Sequence, residues 1–144
     1  MPSSFPATVP LIEEAGASER VQAIFLDIRS TKSIDFVPAF WRVLANQPDL
    51  LESMWRQVKH AMHPEAVGRT SRLDARTRET IALAVSATNG CSYCVNSHSA
   101  ALKKQGIDLE TLGEIMSIVA LFNATNALAE GFQIQPDVRP NFEA

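Results

Sequence analysis

The sequence predicts an all-α protein of about six helices, and three observations carry that prediction. Apolar residues recur at helical intervals through most of the chain. Ser, Asp, Pro and Gly stand where those periods begin and end. No run alternates apolar and polar residues convincingly enough to be a strand, and there is no repeat or low-complexity tract.

Residues 1–16 contain Pro2, Pro6, Pro10 and Gly16 and read as an extended N-terminal arm, with 17–144 as a single helical domain. A chain of 144 residues closes one core but not two. Ser18 is placed to cap a first helix whose apolar residues are Val21, Ile24, Phe25 and Ile28. Val37, Phe40, Trp41 and Leu44 form a second periodic set, ended by Asn46-Gln47-Pro48. Pro48-Asp49 starts a third helix, which stacks Leu51, Met54, Trp55, Val58 and Met62 and stops at His63-Pro64. Residues 64–73 have no period and read as a loop. Asp74 caps a fourth helix running to Asn89-Gly90, where glycine suits a left-handed stop. A fifth helix opens at about Cys91 and ends at Gly106, and Asp108 caps a last long helix to about Glu130.

That last helix is apolar nearly all round, through Leu109, Leu112, Ile115, Met116, Ile118, Val119, Leu121 and Phe122. Such a helix must be buried on most sides, either by a partner subunit or as a central helix wrapped by the other five. The expectation is a homo-oligomer. Trp41, Trp55 and the methionines read as core or interface packing.

The net charge of −3, with no run of Lys or Arg, argues against a nucleic-acid partner. The N-terminal MPSSFPATVP has neither the basic nor the apolar region of a secretory signal, and no eighteen consecutive apolar residues suggest a membrane span. The expected setting is the cytoplasm. There, two cysteines spaced CxxC are a poor structural staple, because so short a loop removes little entropy from the unfolded chain. Redox chemistry or metal binding remain.

On a helix, Cys91, Cys94 and His98 share one stripe, with His98 one turn beyond Cys94 and able to take its thiol proton. Unpaired N–H groups of the first turn would favour thiolate at both cysteines. Glu79 lies on the preceding helix among Ile81, Ala82, Leu83 and Val85. At ~1.5 Å per residue, His98 stands about 10 Å and Glu79 about 15 Å from the Gly90 turn. A direct bond between them is therefore allowed but not compelled, and a bridging water or offset crossing would also join them. Zinc held by the cysteines, His98 and Glu79 would be an atypical donor set, and a thioredoxin-like reading lacks its strand. His60, His63 and Glu65 also invite a metal reading, but a helix end accounts for them.

The run from Glu79 to His98, ETIALAVSATNGCSYCVNSH, resembles the core of the alkylhydroperoxidase D family, whose pattern is E-x11-C-x2-C-x3-H. Every spacing agrees, and the similarity extends from about residue 19 to 130, through ERVQAIFLDIR and QPDLLESMW. The resemblance implies that family's helical fold, with the CxxC at the start of a helix. It implies thiol-dependent reduction of small hydroperoxides: Cys94 as the attacking (peroxidatic) cysteine, Cys91 as the resolving one, His98 as proton relay and Glu79 as distal proton acceptor. No cofactor or resident metal is implied. The reductant would be a dithiol, with a dihydrolipoyl carrier protein as the family's candidate. The assembly would be a trimer, or a hexamer built as a trimer of dimers, the latter suiting a chain of this length. One position departs from the family's peroxidases, which carry His just before the second cysteine where this chain has Tyr93. Two alternatives accompany the peroxidase reading: a redox dithiol protein or sensor without peroxidase turnover, and an enzyme like the carboxymuconolactone decarboxylases that share the fold.

Overall fold

A computed structural model describes residues 7–143, and among these every regular element is helical. The chain divides into two compact units, the first ending at Arg72 and the second beginning at Leu73. The first six residues of the expected N-terminal arm lie outside the described residues. Residues 7–13 contain no helix, and Glu14–Gly16 form one 3-10 turn.

In the first unit, α1 spans Glu19–Lys32, α2 Ala39–Leu44 and α3 Pro48–Met62. Ser18 caps α1 by accepting from the Val21 N–H, and Pro48 occupies the first position of α3, where no N–H is needed. The expected loop after α3 begins with a short 3-10 helix, Pro64–Val67, closed by Gly68 in the left-handed region. His63 ends α3, and its ring lies 6.2 Å from that of Trp55. Val21, Phe25, Ile28, Trp41, Leu51 and Trp55 are buried together, with the two tryptophan rings edge to face at 5.2 Å. Phe40, by contrast, is 42% exposed and stands edge to face with Trp41 at 4.9 Å.

One polar residue at the edge of this core is not signalled by any sequence spacing. Asp27 accepts the Trp55 Nε1–H at 2.7 Å and the Lys59 ammonium at 2.8 Å. Burial alone would raise its pKa, but the Lys59 and Trp55 hydrogen bonds outweigh that and hold the carboxyl below the ordinary 3.8. The bond also satisfies an indole N–H whose ring is almost wholly buried.

In the second unit, α4 spans Ala75–Asn89, α5 Ser92–Lys104 and α6 Leu109–Gly131. Asp74 and Asp108 cap α4 and α6 by accepting from the Thr77 and Thr111 N–H groups. Leu83 of α4 and Leu102 of α5 are essentially fully buried, which locks these two helices side by side. α6 is different. Leu112, Ile115, Met116 and Val119 are half-buried, but no residue of the helix is buried outright. Within the second unit, α4 and α5 leave most of its surface uncovered. By length and composition α6 would also reach across a membrane. Ser117, Asn123, Thr125 and Asn126 interrupt its apolar run, so a count of consecutive apolar residues passes over it.

Replacing Asp27 by Ala strands the Trp55 N–H and the Lys59 charge, and the expected loss is about 1–3 kcal/mol in urea unfolding at neutral pH. The Asp27 carboxyl titrates lower when folded, so its contribution is complete above the ordinary 3.8 and disappears as pH falls through the folded-state value. The stability gap between wild type and Asp27→Asn should accordingly shrink below about pH 4. A gap that stays constant down to pH 2 would show that Asp27 contributes no charge-dependent stability.

Candidate active site

α4 ends as its glycine leads one to expect. Gly90 takes φ +73°, and the following N–H, that of Cys91, bonds back to the Ser86 carbonyl at 3.0 Å. This stop reverses the chain at once, so that α4 and α5 run as an antiparallel hairpin with two residues between them. Glu79, Leu83 and Ser86 recur every three or four residues and form the inward face of α4. Ser86 is buried, and its hydroxyl donates to the Ala82 carbonyl, so it adds no unsatisfied group to that face.

Cys91 is not the first helical residue but the cap of α5, one position earlier than a helix opening on it would require. Its Sγ accepts the Cys94 N–H at 3.3 Å. Sulfur is an uncommon cap, which is why sequence patterns do not single it out. The consequence is electrostatic. The N–H groups and positive end of the α5 dipole act on the Cys91 sulfur directly, an environment that favours thiolate. Cys91 and Cys94 are joined as a disulfide, with Cα atoms 5.3 Å apart. Both residues are half-buried, while Ser92 and Tyr93 between them face outward. The sulfurs thus sit at a rim and not in the core.

His98 lies one turn beyond Cys94 on α5, and its Nδ1 is 2.7 Å from Glu79 Oε2. The Glu79 side chain is 12% exposed and that of His98 27%, so the bond is largely shielded from water. The rise arithmetic left a 5 Å offset between these residues. Their side chains span it directly, without a bridging group. An ionised carboxylate can only accept, so Nδ1 carries the hydrogen, and in the neutral imidazole the lone pair then falls on Nε2. The structure therefore brings Glu79, Cys91, Cys94 and His98 into one hairpin and contributes all four from two adjacent helices.

Among the described residues, no group of three His, Cys, Asp or Glu side chains stands at distances that would hold a metal ion. Two surface clefts, of ≈ 500 and ≈ 480 Å³, lie along α1 and at the α5–α6 turn, and neither is lined by Glu79, Cys91, Cys94 or His98. Sequence reasoning missed Arg78, which is buried beside Glu79 and donates to the Leu73 carbonyl at the start of α4. An arginine on the first turn of a polar helix ordinarily reads as solvated, and nothing in its spacing says otherwise.

A sequence model of the carboxymuconolactone decarboxylase family matches residues 53–135. Alkyl hydroperoxide reductase AhpD of Streptomyces avermitilis is 46% identical over 46 residues, covering 32% of this chain and 26% of the relative. Its namesake from Maricaulis maris is 39% identical over 56 residues, covering 39% of this chain and 32% of the relative. The matched stretch thus spans only about a quarter to a third of the length of these curated relatives. The crystal structure of an alkylhydroperoxidase AhpD core from Rhodospirillum rubrum superposes with a TM-score of 0.84 at 43% identity, over 92% of this chain and 96% of that one. With the all-helical fold and the matched segment taken together, the chain belongs to the carboxymuconolactone decarboxylase family, among its AhpD-like members.

Proposed function

We propose that this protein is a thiol-dependent peroxidase of the alkylhydroperoxidase D type, which reduces small hydroperoxides through a dithiol–disulfide cycle at Cys91 and Cys94. The observation that carries this reading is the Glu79–His98 hydrogen bond one turn from a bonded CxxC pair. Relatives named alkyl hydroperoxide reductase support it.

In the reduced protein, His98 Nε2 takes the Cys94 proton while Glu79 holds the resulting imidazolium through Nδ1. The Cys94 sulfur attacks the terminal peroxide oxygen, the O–O bond breaks, and the departing alkoxide leaves as an alcohol with the proton from His98. Cys94 becomes a sulfenic acid. Cys91, poised as thiolate by the α5 terminus, attacks that sulfur. The S–O bond breaks, the hydroxide leaves as water with a proton, and the Cys91–Cys94 disulfide forms. The two thiols have supplied the two electrons that the peroxide consumed. A small dithiol returns them by two exchange steps, ending as a disulfide itself. A dihydrolipoyl carrier protein fits that requirement. On this reading the protein works in the cytoplasm as a homo-oligomer, with a trimer of dimers favoured over a trimer, in an antioxidant role.

Tyr93 favours a second reading, because it occupies the relay position where the family's peroxidases carry His. A redox dithiol protein or sensor would keep reversible disulfide formation and lose peroxide turnover. Decarboxylase-like chemistry is the third, and since it has no need of a cysteine pair, it would survive a double Cys91→Ala, Cys94→Ala variant.

Consumption of cumene hydroperoxide with dihydrolipoamide as reductant separates these readings. Wild type is expected to turn over, and Cys94→Ser to fall to the uncatalysed background. Normal turnover by Cys94→Ser would refute the assignment of Cys94, and none in wild type with any dithiol would favour the sensor. For Cys91→Ser, one equivalent of peroxide should leave a sulfenic acid on Cys94 that dimedone traps for mass spectrometry. No trapping in Cys91→Ser, together with a trapped sulfenic acid on Cys91 in Cys94→Ser, would reverse the order of attack.

A further inference from the structure

We propose that Asn89 is a site of spontaneous deamidation, and that its conversion to aspartate or isoaspartate slows the chemistry of Cys91. The modification itself is independent of the peroxidase reading. Its functional weight rests on that reading, through the part Cys91 plays in closing the disulfide.

An asparagine deamidates when the backbone nitrogen of the next residue reaches its side-chain carbonyl carbon. A side chain on that next residue hinders the approach, and glycine has none. The six asparagines of this chain are followed by Gln, Gly, Ser, Ala, Ala and Phe, so Asn89 alone precedes a glycine. A Cβ built on Gly90 would meet nothing within 4 Å, so no neighbouring group crowds the ring that must form there.

The Asn89 side chain is equally unencumbered. Asn46, Asn96 and Asn141 each donate through Nδ2, to Pro10 and Val43, to Ser92 and to Glu143 respectively. Asn89 is exposed, and its amide makes no hydrogen bond among the described residues. The attacking nitrogen is held loosely as well. The Gly90 N–H is shared between the Ser86 and Ala87 carbonyls, the latter at 3.4 Å, whereas the next N–H, that of Cys91, bonds at 3.0 Å. Shared bonds of this kind are common at helix ends, and terminal turns open more readily than the helix interior. Opening one turn of α4 therefore frees the nitrogen without disturbing the buried Leu83.

In the reaction, the Gly90 nitrogen gives its proton to water and bonds to the Asn89 Cγ. The Cγ–Nδ2 bond breaks and ammonia leaves, which closes a five-membered succinimide. Water then opens that ring. Cleavage on the Cγ side yields aspartate at position 89, and cleavage on the main-chain carbonyl side yields isoaspartate. One amide is exchanged for one carboxylate, and nothing is oxidised or reduced.

Either product places a negative charge two residues before Cys91, at the end of α5 whose N–H groups favour thiolate. At a separation of roughly 7 Å in water-like surroundings, that charge lowers the thiolate fraction of Cys91 about threefold. Isoaspartate also adds a carbon to the main chain at the end of α4, directly before the two-residue link to α5.

The test is to hold the purified protein at mildly alkaline pH and physiological temperature and to sample it over days. The tryptic peptide Glu79–Lys103 contains both Asn89 and Asn96, so Asn96 serves as an internal control. Tandem mass spectrometry should place the exchange of amide for carboxylate at Asn89, with Asn96 unchanged. Isoaspartate methyltransferase should label the aged wild type and leave aged Asn89→Gln unlabelled. No exchange at Asn89, or equal exchange at Asn96, would overturn the site. The consequence is read without peroxide, from the rate of Cys91 alkylation by iodoacetamide at neutral pH in a Cys94→Ser background. Asn89→Asp should react about threefold more slowly than its parent, and Asn89→Gln should match the parent. Equal rates for all three would overturn the link to Cys91, and slowing by Asn89→Gln as well would assign the effect to the turn and not to the charge.

Discussion

The hydrogen bond from His98 to Glu79 sets the terms for everything around it. It requires a carboxylate on α4 and an imidazole on α5 to meet at 2.7 Å in a place mostly shielded from water. That demands two helices held close and parallel in depth. The Gly90 stop, the buried Leu83 and Leu102 and the small residues Ala82 and Ser86 on α4 all serve that closeness. The same reversal places Cys91 as the cap of α5, where its sulfur faces N–H groups. One turn of chain thus builds two different sulfur environments: Cys91 beside a helix terminus and Cys94 one turn from a base.

The two units of the chain are stabilised in different ways. The first has an aromatic core, in which paired tryptophans bury a large area and Asp27 satisfies the Trp55 indole N–H. The second buries only Leu83 and Leu102 completely, and its longest helix buries nothing. So small an apolar core is thin support for three helices. The hairpin that the chemistry calls for is therefore held by few fully buried side chains, with α6 packed against α4.

Much of this was legible in the sequence because it rests on local physics. Ser18, Asp74 and Asp108 cap helices, Pro48 opens one and Gly90 closes one, for reasons that lie within four residues of each. The all-round apolarity of α6 was equally plain, and it is the exposure of that helix that the structure adds. What stayed hidden is non-local or unusual. Asp27 meets Trp55 across 28 residues, so no spacing rule connects them. The 3-10 turn at Pro64–Val67 has no periodicity to find. Cys91 acts as a cap although cysteine is seldom one. The contact between Glu79 and His98 was permitted by helical rise, but only the packing of α4 on α5 decides it.

The most direct test of this account is the pH profile of Cys94 alkylation in reduced protein, with wild type compared against Glu79→Gln. If the Glu79 carboxylate holds His98 with Nδ1 protonated and Nε2 as the base, losing its charge weakens the acceptor. The alkylation midpoint of Cys94 should then move to higher pH, with the rate at neutral pH falling by about tenfold or more. Superimposable profiles would contradict the account, leaving the Glu79–His98 bond a structural contact with no part in activating the thiol.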